Sequence, residues 1–106
     1  MSSEGLLDEM VRRIREIAQP DKIVLFASRA RGDAGPDSDF DSLVIKSSDQ
    51  PRYKRSGPIY SALADMPAEA EVIIYTPQEV REWREVPQAF VTTALREGRV
   101  LYESKG

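Results

Sequence analysis

Two aspartates, Asp39 and Asp41, stand two residues apart just before an apolar run at residues 43–45. The run predicts a β-strand, in which residues i and i+2 point to the same face. Two carboxylates about 6 Å apart would repel each other by roughly 2–3 kcal/mol at an effective dielectric near 20. A divalent cation offsets this repulsion, because Mg²⁺ takes hard oxygen ligands and shares its other positions with substrate phosphates. The spacing therefore predicts a metal and phosphate site, although a surface pair neutralised by Arg29 and Arg31 explains the spacing equally well.

A turn of small residues lies immediately upstream of the aspartates. Residues 22–26 have the composition of a buried strand, and the chain continues through residues 27–32. Backbone N–H groups at such a turn, together with the Ser28 hydroxyl, can bind phosphate oxygens at the start of a short helix. Arg29 or Arg31 would add positive charge. An ordinary helix N-cap is the other interpretation of Ser28, and the two roles are compatible because both use free N–H groups.

These segments together resemble the signature of the nucleotidyltransferases of the DNA polymerase beta superfamily, and within it the small MNT group. That signature is a glycine-serine pair, an alanine-arginine-glycine run, an aspartate-x-aspartate in the following strand and a third acid on a later strand. The third acid would be Glu71, in the strand predicted at residues 70–75. The residues that match the first three parts are Ser28, Ala30, Arg31, Gly32, Ser38, Asp39, Asp41 and Val44.

The resemblance implies a nucleotidyltransferase fold, with Mg²⁺ (or Mn²⁺) as cofactor and ATP as substrate. The implied catalytic residues and metal ligands are Asp39, Asp41 and Glu71. The implied nucleotide-binding residues are Ala27, Ser28, Arg29, Arg31 and Ser38. It further implies transfer of a nucleoside monophosphate, AMP from ATP, to a hydroxyl acceptor. For MNT proteins this acceptor is a tyrosine on a partner HEPN-domain toxin, so the chain would act as the antitoxin of a toxin-antitoxin pair.

Two residues depart from the family pattern and leave other functions open. Ala27 stands where glycine is usual, and Glu71 stands where aspartate is usual and is one methylene longer. A carboxylate displaced by about 1 Å can cost a large factor in rate. A second hypothesis is therefore a binding module with weakened chemistry that neutralises its partner by contact. A third, a transferase for small molecules such as aminoglycosides, needs a further substrate domain or a dimer cleft.

The position of the third acid also has an alternative. If the register of the strand is shifted by two residues, Glu69 takes the place of Glu71.

The composition limits the possible chemistry of this chain. It has 106 residues, 41% of them hydrophobic, with no histidine and no cysteine. Ser-His-Asp or Cys-His catalysis, the usual zinc sites and disulfides are thereby excluded. The net charge of −3 argues against nonspecific nucleic-acid binding. We expect a single cytoplasmic domain over residues 1–106, with no membrane association, that forms either a homodimer or a heteromer with its partner.

Hydrophobic periodicity and punctuation by proline and glycine predict an α/β (α+β) fold with a mixed sheet of about four strands and helices packed against it. A helix is expected at residues 5–18, ahead of a catalytic core at about 22–103. Further helices are expected near residues 59–65, 77–85 and 88–97, and strands near 22–27, 39–46, 70–75 and 99–103. Thr76, Pro77 and Glu79 form a capping-box sequence at the start of the helix expected at residues 77–85.

Overall fold

The computed structural model describes residues 3–26, 40–66, 70–86 and 90–104. Its elements, in chain order, are α1 (Ser3–Ala18), β1 (Lys22–Leu25), β2 (Phe40–Ile45), α2 (Arg52–Arg55), α3 (Gly57–Leu63), β3 (Ala70–Tyr75), α4 (Pro77–Trp83), α5 (Phe90–Glu97) and β4 (Arg99–Glu103). Within these ranges each predicted helix and strand is present, with ends that shift by about two residues, as helix and strand ends commonly do. The one-turn helix α2 was not predicted.

The strands form one four-stranded sheet in the order β3-β2-β1-β4. β1 is antiparallel to both β2 and β4, whereas β2 and β3 are parallel. A parallel pair needs a long crossover connection. Here the chain between β2 and β3 contains α2 and α3. The prediction of a mixed sheet with helices packed against it is therefore confirmed.

Buried side chains lie on both faces of the sheet, because successive residues of a strand point to opposite faces. One face packs against α1 and α3. Its core consists of Leu7, Met10, Ile14, Ala18, Ile23, Leu25, Val44, Ile59, Leu63, Val72 and Ile74. The other face packs against α5, and its core consists of Val24, Leu43, Ile45, Tyr75, Val91 and Ala94. Each strand of the β1-β2-β3 set therefore contributes to two cores and is held from both sides.

An ion pair joins α2 to the start of α4. The Arg55 guanidinium donates to both carboxylate oxygens of Glu79, at 2.6 and 3.2 Å, and its side chain is 8% exposed. Glu79 also completes the predicted capping box: its carboxylate accepts from the Thr76 backbone N–H at 2.9 Å, and its own N–H donates to Thr76 Oγ1 at 3.1 Å. The crossover segment is thus attached to the helix that follows β3.

In the described parts of the chain, no helix combines the length and the apolar character that crossing a membrane requires.

Candidate functional site

The structure places two of the predicted site residues, Asp41 on β2 and Glu71 on β3. The other predicted site residues lie outside the described residues: Ala27, Ser28, Arg29, Arg31, Ser38 and Asp39. Glu69, the alternative third acid, also lies outside them. The carboxylate pair is therefore the part of the predicted site whose geometry can be described.

Asp41 and Glu71 are register partners in the parallel ladder between β2 and β3. Neighbouring strands lie about 4.8 Å apart, and directly opposed residues present their side chains to the same face. Each residue is the second of its strand, so both carboxylates lie at the end of the sheet where β2 and β3 begin. Glu71 is exposed and Asp41 is half-buried. The two acids, thirty positions apart in the chain, thus form a pair that solvent or a ligand can reach.

The last residues of β1 lie beside the acid pair at this end of the sheet. β1 runs antiparallel to β2, so its last residues lie beside the first residues of β2. The Phe26 N–H donates to the Asp41 carbonyl oxygen at 2.9 Å. The predicted phosphate-binding turn begins at residue 27, directly after this contact. Topology therefore brings the end of β1 and the two acids to the same end of the sheet, which the separate sequence motifs could not show.

The side chains that surround the backbone of Glu71 were not singled out in the sequence. Ser42, between Asp41 and Leu43, is fully buried, and its hydroxyl donates to the Glu71 carbonyl oxygen at 3.3 Å. On the other side of β3, the Tyr60 hydroxyl contacts the backbone of Val72. A serine directly before the apolar run at residues 43–45 was a signal for Ser42, because buried polar groups are uncommon and are usually hydrogen-bonded. Nothing local in the sequence marks Tyr60.

The donor set of the pair fits a hard divalent cation. Mg²⁺ is usually bound by one or two carboxylates, with water and phosphate oxygens in its other positions. Two carboxylates held side by side on neighbouring strands supply such ligands. Among the described residues there is no group of three or more histidine, cysteine, aspartate or glutamate side chains that could hold a metal ion. Any third carboxylate from Asp39 lies beyond them.

Comparison with known proteins gives one family and one fold. The model of the family described as "Polymerase beta, Nucleotidyltransferase" matches residues 9–106. A solved structure described as "Crystal structure of the toxin-antitoxin with AMP-PNP" resembles the chain with a TM-score of 0.65 at 14% identity. That match covers 93% of this chain and 74% of the other. No curated protein matches the chain significantly. At this identity the structural likeness shows a shared fold.

Proposed function

The chain belongs to the polymerase beta nucleotidyltransferase family, and we propose that it transfers a nucleoside monophosphate, AMP from ATP, to a hydroxyl group. The observation that carries the proposal is the register that opposes Asp41 to Glu71 on neighbouring parallel strands. This register supplies two carboxylates on one face of the sheet, at the end where β1 finishes and the predicted phosphate-binding turn follows in the sequence. Family membership supports the reaction class, and the paired acids support this location for it in the chain.

In the proposed site, Asp41 and Glu71, together with Asp39, would hold Mg²⁺ or Mn²⁺. When bound there, the cation neutralises charge on the triphosphate and on the departing pyrophosphate. Ser28 and the backbone that follows it would bind phosphate oxygens, and Arg29, Arg31 and Ser38 would add further contacts to the nucleotide, beside Ala27.

The group transfer itself requires one proton acceptor and good alignment. The acceptor oxygen forms a bond to the α-phosphorus while the bond from that phosphorus to the bridging oxygen of pyrophosphate breaks. Glu71, the more exposed carboxylate, would act as a metal ligand or take the hydroxyl proton as general base. Positioning and electrostatic stabilisation carry most of the catalysis in such reactions.

The acceptor we propose is a tyrosine of a HEPN-domain toxin, with this chain as its antitoxin and the cytoplasm as the compartment that supplies ATP. This proposal is supported by the likeness in fold to a structure described as a toxin-antitoxin with AMP-PNP. It is further supported by the signature residues of the MNT group in the sequence.

The test is an intact-mass measurement. Because MNT proteins are often encoded beside their HEPN-domain partner, the protein encoded by the neighbouring gene is incubated with this chain, ATP and Mg²⁺, and in parallel with the Asp41→Asn variant. We expect the partner to gain one or more AMP units with the wild type and none with the variant, because the substitution removes a charged metal ligand. Equal modification by both proteins would contradict the assignment of Asp41.

A second candidate function, neutralisation of a partner by contact alone, is favoured by the glutamate at the position of the third acid. Its longer side chain carries the carboxylate further from the backbone than aspartate would. A stable complex without any mass gain would support this candidate. The doubly substituted Ala27→Gly, Glu71→Asp protein then separates the two functions, because a latent enzyme gains activity whereas a binding module does not.

A further inference from the structure

A tyrosine hydroxyl forms hydrogen bonds with the outer edge of β3, next to the acid pair. β3 is the terminal strand of the described sheet, with β2 as its neighbour. The Val72 N–H donates to the Tyr60 hydroxyl at 2.8 Å, and this hydroxyl donates to the Val72 carbonyl oxygen at 3.3 Å. Both backbone groups of an edge residue are thereby satisfied. Tyr60, from α3, takes the place that a further strand would have at Val72, the residue directly after Glu71.

The same short stretch of β3 is also held from its inner side. The hydroxyl of Ser42 donates to the carbonyl oxygen of Glu71 at 3.3 Å. Ser42 itself has no exposed surface, and the contact is partly buried. The backbone around Glu71 is therefore held from β2 by Ser42 and from α3 by Tyr60.

We propose that Tyr60 and Ser42 are positioning residues that determine where the Glu71 carboxylate lies relative to Asp41. The inference rests on the proposed function, in which these two carboxylates hold the metal. Glu71 is the second residue of an edge strand, where a strand is paired on one side only. A binding constellation needs its groups held within about 0.5 Å, and a displacement of about 1 Å is costly. One hydroxyl on each side of β3, from Ser42 and from Tyr60, provides this restraint.

The far end of the same edge supplies a matched control. Arg55 Nη1 donates to the carbonyl oxygen of Ile74 at 3.2 Å. Ile74 lies on β3, the strand that Tyr60 also contacts. Ile74 is three residues beyond Glu71, or about 10 Å along the strand. Arg55 also pairs with Glu79, so its replacement weakens the fold as a whole. A general loss of stability and a specific displacement of Glu71 can thus be separated.

The experiment measures Mn²⁺ affinity by calorimetry for the wild type, Tyr60→Phe, Ser42→Ala, Arg55→Lys and Asp41→Asn. Thermal midpoints and amide exchange of Val72 are measured on the same samples. Loss of a group that orients a metal ligand typically weakens binding by about 10–100-fold. Because these hydroxyls act through the backbone, we expect about tenfold for Tyr60→Phe and Ser42→Ala. The Val72 amide should lose protection in Tyr60→Phe. Arg55→Lys should stay within about twofold of the wild type although its thermal midpoint falls.

Three results would overturn the inference. The first is wild-type Mn²⁺ affinity in both Tyr60→Phe and Ser42→Ala. The second is a loss in every variant, including Arg55→Lys, that follows the fall in thermal midpoint. The third is equal affinity in the wild type and Asp41→Asn, which would remove the metal site and with it the proposed function. Only the third result counts against the proposed function, so the two failures are distinguishable. If Tyr60→Phe does not fold, Ser42→Ala supplies the same comparison from the β2 side.

Discussion

Gly98 occupies a space that has no room for a side chain. It lies between the end of α5 and the start of β4, and its N–H donates to the Ala94 carbonyl oxygen at 2.8 Å. A Cβ atom there would stand 2.4 Å from that oxygen, 2.4 Å from Val24 Cγ1 and 2.8 Å from the Leu25 carbonyl oxygen. Two of the three are backbone atoms and cannot move aside cheaply. This glycine lets the helix end pack directly on β1.

We expect Gly98→Ala to lower the free energy of unfolding by about 2–3 kcal/mol, as overpacking commonly does. Urea denaturation measures this. Gly57→Ala is the matched control, because a Cβ at the first residue of α3 meets nothing within 4 Å beyond its own chain neighbours. That variant should stay within about 1 kcal/mol of the wild type, because the gain in helix propensity opposes the crowding of the new Cβ against Pro58. Equal effects of the two substitutions would show that the contacts around Gly98 relax more easily than the structure indicates.

At the scale of elements, the junction of α2, β3 and α4 depends on one carboxylate with two tasks. Glu79 caps α4 together with Thr76 and neutralises the buried guanidinium of Arg55. Arg55 in turn donates to the carbonyl oxygens of Gln50 and Ile74. The Arg55 side chain therefore connects the crossover segment, the end of β3 and the start of α4. The two tasks of Glu79, capping α4 and neutralising Arg55, can be separated by substitution.

Glu79→Gln keeps an oxygen for the cap but removes the charge that balances Arg55, because glutamine also serves at this position of a capping box. We expect a loss of about 2–3 kcal/mol, since a largely buried cation is left without its partner. Thr76→Ala removes the cap and leaves the ion pair, and it should cost about 1 kcal/mol. Chemical denaturation at neutral pH compares the two. A larger loss from Thr76→Ala would contradict the importance we assign to the ion pair.

At the scale of the whole molecule, contacts between distant parts of the chain hold the helical layer in place. α1 and α3 cover the same face of the sheet, and Arg13 of α1 donates to the carboxylate of Asp65, just beyond α3. The same guanidinium donates to the Ala62 carbonyl oxygen at 2.9 Å. The hydrogen bond and the charge of Arg13 hold the pKa of Asp65 below its ordinary value of 3.8. This contact therefore ties the stability of the chain to pH.

Because the pKa of Asp65 is lower in the folded protein than in the unfolded chain, the contact stabilises the fold above the unfolded-state pKa. The contribution is lost as the pH falls through the folded-state pKa. We expect Asp65→Asn to flatten the dependence of unfolding free energy on pH below about pH 4. Asp49→Asn, which changes an exposed acid on the loop before α2, is the matched control. An unchanged slope in Asp65→Asn would show that other carboxylates govern acid unfolding.

Most of the elements could be predicted from sequence because their signals are local. The apolar spacing through α1, the capping box at Thr76 and the short apolar strands each depend on neighbouring residues. Strand order depends on contacts between distant segments, and the sequence offers no local signal for it. α2 was missed because its four residues are mostly charged and carry no apolar period. The close approach of Gly98 to β1 is visible only in the tertiary structure.

For the candidate site, the sequence by itself determined the acidic residues and the chemistry open to them. With no histidine and no cysteine, carboxylates were the remaining groups for metal-dependent catalysis, and the spacing of Asp39 and Asp41 suggested their use. Only the tertiary structure decided that Glu71 stands opposite Asp41, because register is set by the pairing of whole strands. It also decided that Tyr60 and Ser42 hold the backbone there, because hydrogen bonds between residues far apart in the chain exist only after the sheet and α3 have packed together.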